Sequence, residues 1–264
     1  MKNMTNTIIL VACVIAAYAV FYLVLGAEGN FTDPKTQVVD MHLPQNAMGM
    51  IFTGGPLVGL LIACILIAIT FTVERFLSIG KAGGKGNMHA FTQEIVGNVA
   101  KGNYTAALAA CDNQRGSLAN VLRAAVERFR TVENDPTLNA DQKLQETQRV
   151  IDENMNLETP LLEKNLAMLS TIASVSTMIG LLGTTVGMIR AFQALGAAGT
   201  VSAQQLSIGI SEALYNTAGG LIAAVLSIIF FNFFTTKVDD FTYQMDEAIL
   251  DLMETLSIRT GTKA

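Results

Sequence analysis

Of the 264 residues, 51% are hydrophobic and only 15% charged, with a mean hydropathy of +0.42. Soluble domains carry about a quarter charged residues, so this composition excludes an ordinary soluble domain and points to an α-helical membrane protein. The net charge of −5 argues against nucleic acid as a partner. Cys13, Cys64 and Cys111 are too scattered for a disulfide framework, and His42 and His89 lack ligand spacing, so no metal site and no cofactor are expected.

The first apolar run is Ile8 to Leu25. Its length fits a membrane span, and Tyr18, Phe21 and Tyr22 gather at its far end, where interfacial aromatics belong. A signal peptide with Gly26-Ala27 as its cleavage site is the competing reading; a retained helix is preferred. Glu28 to Gln45 is a mildly acidic connector broken by Pro34 and Pro44, so residues 1–47 read as one helix and its connector. The second run, 48–73, is interrupted by Gly54-Gly55-Pro56, which confines its span to Leu57–Val73.

Glu74 to Lys164 holds eleven of the seventeen lysines and arginines, which places it in the cytoplasm. Helices are predicted over Met88–Lys101, Tyr104–Asp112 and Ser117–Arg130, the last capped by Ser117 and carrying Leu118, Val121, Leu122, Ala125 and Phe129 on one face. Asn139 caps another helix through Leu157, which ends at Thr159-Pro160, so the cytoplasmic helical region is set at 74–159. It holds no phosphate loop, nucleophile–base pair or ligand cluster, and no enzyme activity is expected.

Pro160 suits the first turn of a new helix, and the run from Leu161 to Leu195 is longer than a bilayer needs. Ser170, Ser174, Thr177 and Thr184 share one face. Beside them run Ser176, Gly180, Gly183 and Gly187, small residues that let membrane helices approach closely. The hydroxyls of Ser170 and Ser174 are expected to bond back to their own helix; Thr184 is the one assigned to function. Gly196 to Val201 is uncharged, as a short outside loop would be, and Ser202-Ala203-Gln204-Gln205 reads as a capping box that starts the last helix.

That helix carries Ser211-Glu212-Ala213-Leu214-Tyr215-Asn216-Thr217-Ala218-Gly219-Gly220 at the head of an apolar run reaching Thr236. A carboxylate inside a membrane-length helix is costly and by default functional. Glu212, Asn216, Gly219, Gly220, Ala223, Ala224 and Ser227 line one side at helical spacing, and Leu214, Leu221, Val225, Ile228 and Phe231 line the other. The bland alternative is a carboxyl group sealed between helices and merely hydrogen-bonded. Counting ~1.5 Å per residue from the outer helix ends sets Thr184 and Glu212 at a similar depth of ~15 Å, with Thr217 one to two turns further in. Such a threonine–glutamate–threonine ladder suits a proton or a hydrated cation. The hairpin is set at 160–236. Beyond it, 237–264 forms an amphipathic helix with Val238, Phe241, Met245, Ile249, Leu252 and Leu256 in one stripe, to pack on the cytoplasmic helices or on neighbouring subunits.

In the stretches Ile179-Gly-Leu-Leu-Gly-Thr-Thr-Val-Gly-Met-Ile-Arg-Ala-Phe192 and Ile210-Ser-Glu-Ala-Leu-Tyr-Asn-Thr-Ala-Gly-Gly-Leu221, together with Val73-Glu74-Arg75 after a span, the chain resembles the MotA/TolQ/ExbB proton-channel family, its ExbB branch most closely. The resemblance implies a protein of the bacterial inner membrane. It also implies a homopentamer around a dimer of an ExbD-like single-span partner, which uses the proton-motive force to drive a TonB-like protein that energises outer-membrane transport. On the same likeness Thr184, Glu212 and Thr217 match the family's polar pore residues.

Three features depart from the family pattern. Ser176-Thr177-Met178 stands where relatives often have Ala-Pro, so no proline kink is implied. Arg190 lies toward the outer end of its helix, where relatives are commonly uncharged; it would snorkel to the surface or bias cation access. Ile8–Leu25 adds a helix, so the expected fold is an all-α integral membrane protein with three core transmembrane helices and an extra amino-terminal one. A TolQ-like envelope-maintenance motor, another stator of the family and a non-conducting scaffold stay open, as does Na⁺ in place of H⁺. A secondary transporter is disfavoured, because no inverted repeat is found.

Overall fold

The computed structural model describes residues 2–31, 46–197 and 203–261, which form helices and turns with no strand among them. Most of the Glu28–Gln45 connector, and the capping serine expected at Ser202, lie outside the described residues. Among the described residues four stretches are long and apolar enough to cross a membrane: Thr7–Leu25, Pro56–Ala82, and the apolar parts of Ala140–Gln193 and Leu206–Thr260. The chain is thus a multi-pass α-helical membrane protein. It divides into two compact units, Met1–Val73 with Ala167–Asn232, and Glu74–Leu166 with Phe233–Ala264.

The apolar unit opens with α1 (Lys2–Val20), which begins earlier than the apolar run because polar residues such as Asn6 and Thr7 extend it. Its continuation, Phe21–Leu25, is a π-helical turn closed by Gly26, whose N–H donates to the Phe21 carbonyl. The turn leaves carbonyls that need donors, and Asn30 supplies them to Leu25 (2.9 Å) and Val24 (2.7 Å). Asn46 in turn donates to Asn30 (2.9 Å) and caps α2 (Ala47–Phe52) by accepting from the Gly49 N–H (2.9 Å). Phe21 stacks on Phe52 with ring centroids 4.7 Å apart, and Phe31 meets the same ring edge-on at 5.5 Å. The Gly54-Gly55 break follows, and α3 (Pro56–Ala82) starts with proline in its first turn. It runs nine residues beyond Val73. Apolarity ends there, but Glu74, Arg75, Phe76 and Leu77 are ordinary helix residues, so the helix does not.

In the polar unit, α4 (Met88–Ala100), α5 (Tyr104–Gln114), α6 (Ser117–Glu133) and α7 (Ala140–Glu163) pack around Ile95, Val99, Val121, Leu122, Ala125, Val126, Phe129 and Ile151, all essentially inaccessible to solvent. Asn139 and Gln142 form a reciprocal capping box at the start of α7, at 2.8 and 2.9 Å. Two local expectations fail. Ser117 is not the cap of α6: Gly116 is, without a side-chain bond, because φ there is +96°. Nor does Pro160 begin a helix; it sits inside α7, and the break falls at Lys164–Asn165, where Asn165 takes φ +63°. There Arg75, 1% exposed, donates to both carboxylate oxygens of Glu74 (2.7 Å each) and to the Leu162 carbonyl (3.1 Å), and Asn165 donates to Glu74 (3.2 Å).

α8 (Leu166–Ala197) and α9 (Ala203–Thr260) complete the chain. α9 is unbroken over 58 residues, well over twice what a bilayer needs. Its far end lays Met245, Leu252 and Leu256 against the polar unit, and Arg259 donates to Glu133 at 2.8 Å and lies over the Tyr104 ring. Cys13, Cys64 and Cys111 are free thiols.

Candidate functional site

α8 and α9 meet along a seam from which side chains are nearly absent. A Cβ built on Gly220 would lie 2.6 Å from the Ser176 carbonyl and 2.9 Å from the Gly180 Cα. One built on Gly187 would lie 2.9 Å from the Ala213 nitrogen and the Gly209 carbonyl. Gly183 faces the Asn216 side chain. Gly180, Gly183, Gly187 and Gly220 therefore form the contact, as small residues do where membrane helices touch. Gly219 belongs elsewhere: it faces Leu61 of α3 at 3.3 Å. Thr217 crosses the seam, its hydroxyl reaching the carbonyls of Ala213 (3.3 Å) and Gly180 (3.4 Å).

Glu212 lies at this seam with its side chain 8% exposed, and it is ion-paired through Oε1 to Nη1 of Arg190, whose side chain is 52% exposed. The guanidinium thus turns inward to the carboxylate. The third wall is the Gly54-Gly55 break. Gly55 has φ +78°, and a Cβ there would lie 2.8 Å from Glu212 Oε1, so glycine serves both the backbone and the carboxylate. One turn along α9, Asn216 is fully buried. Its amide donates to the Gly54 carbonyl (2.7 Å) and to the Glu212 carbonyl (2.9 Å), while Oδ1 has no hydrogen-bond partner.

The expected ladder is arranged differently. Arg190, not Thr184, meets Glu212. Thr184 is half-buried and donates to the Leu181 carbonyl of its own helix at 2.6 Å. The similar depth expected for Thr184 and Glu212 rests on a helix ending at Leu195; α8 reaches Ala197, which puts Thr184 thirteen residues from its end against nine for Glu212. Glu212 is instead level with Gly187, which faces Ala213. Thr177 bonds back to Ala173 (3.0 Å) and Ser174 to Ser170 (3.3 Å). With Ser170, Met178 and Leu181 they line a groove of about 670 Å³ against Val225 and Ile228 of α9. Sequence reasoning saw Gly54-Gly55 only as a break; two glycines before a proline were the available sign that backbone comes close to another group there.

A hairpin of closely packed apolar helices with a buried carboxylate on its seam defines a membrane protein built around an intramembrane ion pair. The chain belongs to the MotA/TolQ/ExbB proton channel family, whose pattern residues 113–247 match, half of its length. Similar curated proteins include the Tol-Pal system protein TolQ of Haemophilus influenzae, 41% identical over 93 residues, which is 35% of this chain and 41% of that one. Another is the biopolymer transport protein ExbB of Aquifex aeolicus, 40% identical over 29% of this chain and 52% of that one. A third is TolQ of Pseudomonas aeruginosa, 30% identical over 44% and 51%. The chain spans about half the length of the curated relatives it matches.

Proposed function

We propose that this chain is an ExbB-like subunit of a motor in the bacterial inner membrane driven by the proton-motive force. It would form a homopentamer around a dimer of an ExbD-like single-span partner and energise a TonB-like protein for outer-membrane transport. Glu212 carries the proton, and Thr184 and Thr217, both further from the outer helix ends than Glu212, serve the polar path on its inner side. The observation that supports this reading most is the buried carboxylate on the glycine seam, within the stretch that matches the proton channel family. A carboxyl group held there can change charge across an otherwise apolar gap, and each charge that crosses supplies about 2.3 kcal/mol per 100 mV. Reconstituted with its co-expressed partner under an imposed potential, the wild type should take up protons and Glu212→Gln should not, with the complex intact. Equal uptake in both would remove Glu212 from the path.

A TolQ-like role in envelope maintenance is the second reading, favoured by the identity to proteins named TolQ. Complementation separates the two. Restored outer-membrane uptake in a strain lacking ExbB supports the first, and restored envelope integrity in one lacking TolQ supports the second.

A further inference from the structure

We infer that Arg190 reserves Glu212 for protons, because its guanidinium fills the seat a metal cation would need at this carboxylate. The inference rests on the reading of Glu212 as the group that carries the transported charge. The surroundings supply oxygens of the kinds a cation site uses. The buried carboxylate is walled by the unwound Gly54-Gly55 segment, the Gly54 carbonyl accepts from Asn216 one turn along α9, and the buried Asn216 Oδ1 has no hydrogen-bond partner. Hard cations gather several oxygens of these kinds, and membrane transporters build such sites from unwound backbone carbonyls. Gly55, with no side chain, leaves room at Oε1.

Arg190 occupies that room. Its positive charge weakens the carboxylate for every incoming cation, protons included, but for a metal ion the guanidinium on Oε1 also takes the coordination seat. A proton differs in kind: it needs one oxygen and no coordination shell, and the carboxylate has Oε2 besides the oxygen that Arg190 holds. Taking away a resident cation can only raise the affinity of the seat for other cations, so the sign of the effect is fixed by competition alone. The Arg190 side chain is half-exposed, which gives the guanidinium somewhere to go when the proton arrives.

The test uses the full chain purified with its co-expressed partner, in NaCl and in choline chloride at equal concentration. Two readouts are taken on wild type, Arg190→Gln, Arg190→Lys and the double variant Arg190→Gln/Glu212→Gln: the thermal unfolding midpoint in detergent, and proton uptake in liposomes. The wild type and Arg190→Lys should not distinguish the salts. Arg190→Gln should unfold at a higher midpoint in Na⁺, and its proton uptake should fall roughly tenfold once Na⁺ exceeds its dissociation constant tenfold. The double variant should lose the sodium-dependent midpoint. Indifference of Arg190→Gln to the salt, sodium sensitivity of the wild type as large as that of the variant, or sensitivity that survives in the double variant would each overturn the inference. If Arg190→Gln does not assemble, Arg190→Met replaces it; failure of both would make Arg190 a structural strut and overturn it too. The midpoint measurement needs no flux, so a wild type that conducts nothing would defeat the motor reading while the sodium result still decided this one.

Discussion

Gly219 and Gly220 are neighbours on one helix, yet alanine should have opposite effects at the two. Each substitution gains the same intrinsic helix preference, roughly 0.8–1.0 kcal/mol. At Gly219 the new methyl meets only the end of the Leu61 side chain at 3.3 Å, which can yield by rotation. At Gly220 it meets backbone, the Ser176 carbonyl at 2.6 Å and the Gly180 Cα at 2.9 Å, and backbone cannot rotate away. Relief there requires α8 and α9 to separate, loosening the contacts at Gly183 and Gly187 as well. Overpacking of this kind costs about 1–3 kcal/mol. Gly219→Ala should therefore be neutral to stabilising by up to ~1 kcal/mol. Gly220→Ala should be net destabilising by up to ~2 kcal/mol. Thermal unfolding of the purified chain in one detergent, followed by helical circular dichroism, orders the three proteins. A Gly219→Ala midpoint at or below that of Gly220→Ala would refute the assignment of Gly220, and not Gly219, to the α8–α9 contact.

Arg75→Met should cost about 2–3 kcal/mol, because it strips the Leu162 carbonyl of a charged donor and leaves Glu74 unpaired; the 38% exposure of Glu74 keeps the cost below that of a fully buried pair. Arg75→Lys, which keeps charge but not the two-pronged geometry, should fall between it and the wild type in thermal midpoint. Asn216→Ala should destabilise by about 1–3 kcal/mol by leaving the Gly54 carbonyl without its donor, read by the same scan. Burial pushes the Cys111 thiol up to about 12, and burial with the nearby Glu133 charge pushes the Tyr104 phenol up to about 12, from ordinary values of 9.0 and 10.0. Both folded-state values lie above the unfolded ones, so this stability is complete below pH 9 and is lost as pH rises toward 12. The alkaline fall of the thermal midpoint should flatten in the Tyr104→Phe/Cys111→Ala variant; an unchanged slope would refute it.

What the sequence reveals most reliably is what one helix face can carry. The glycine stripe of α8, the buried stripe Met245–Leu252–Leu256 of α9 and the box at Asn139 are written in residues three or four apart, and the structure uses them as such. The four membrane-length stretches are legible for the same reason, since length and apolarity are properties of a single segment.

The misreadings share one cause, which is that a distant residue decides a local outcome. Proline in a first turn is a sound signal, yet Pro160 lies within α7 because the chain turns at Asn165, where Arg75 holds the Leu162 carbonyl from 87 positions away. The meeting of Glu212 with Arg190 is the same case at the site itself. Spacing along α8 shows that Thr184 and Arg190 are both available. Which of them reaches Glu212 depends on the register between two helices, and that register is set where Gly187 admits Ala213 and Gly183 admits Asn216. A count from the helix ends moves by only about half a turn when α8 gains two residues and the start of α9 is held at Ala203, so the count alone does not find Arg190, whose long side chain reaches Glu212 from a position under two turns beyond Thr184. The third wall is further still from local reading: Gly54 and Gly55 stand more than 150 residues before Glu212, and only the fold brings an unwound backbone to that carboxylate. A membrane carboxylate can thus be recognised from its own helix, but the charge that faces it is a property of the packed hairpin.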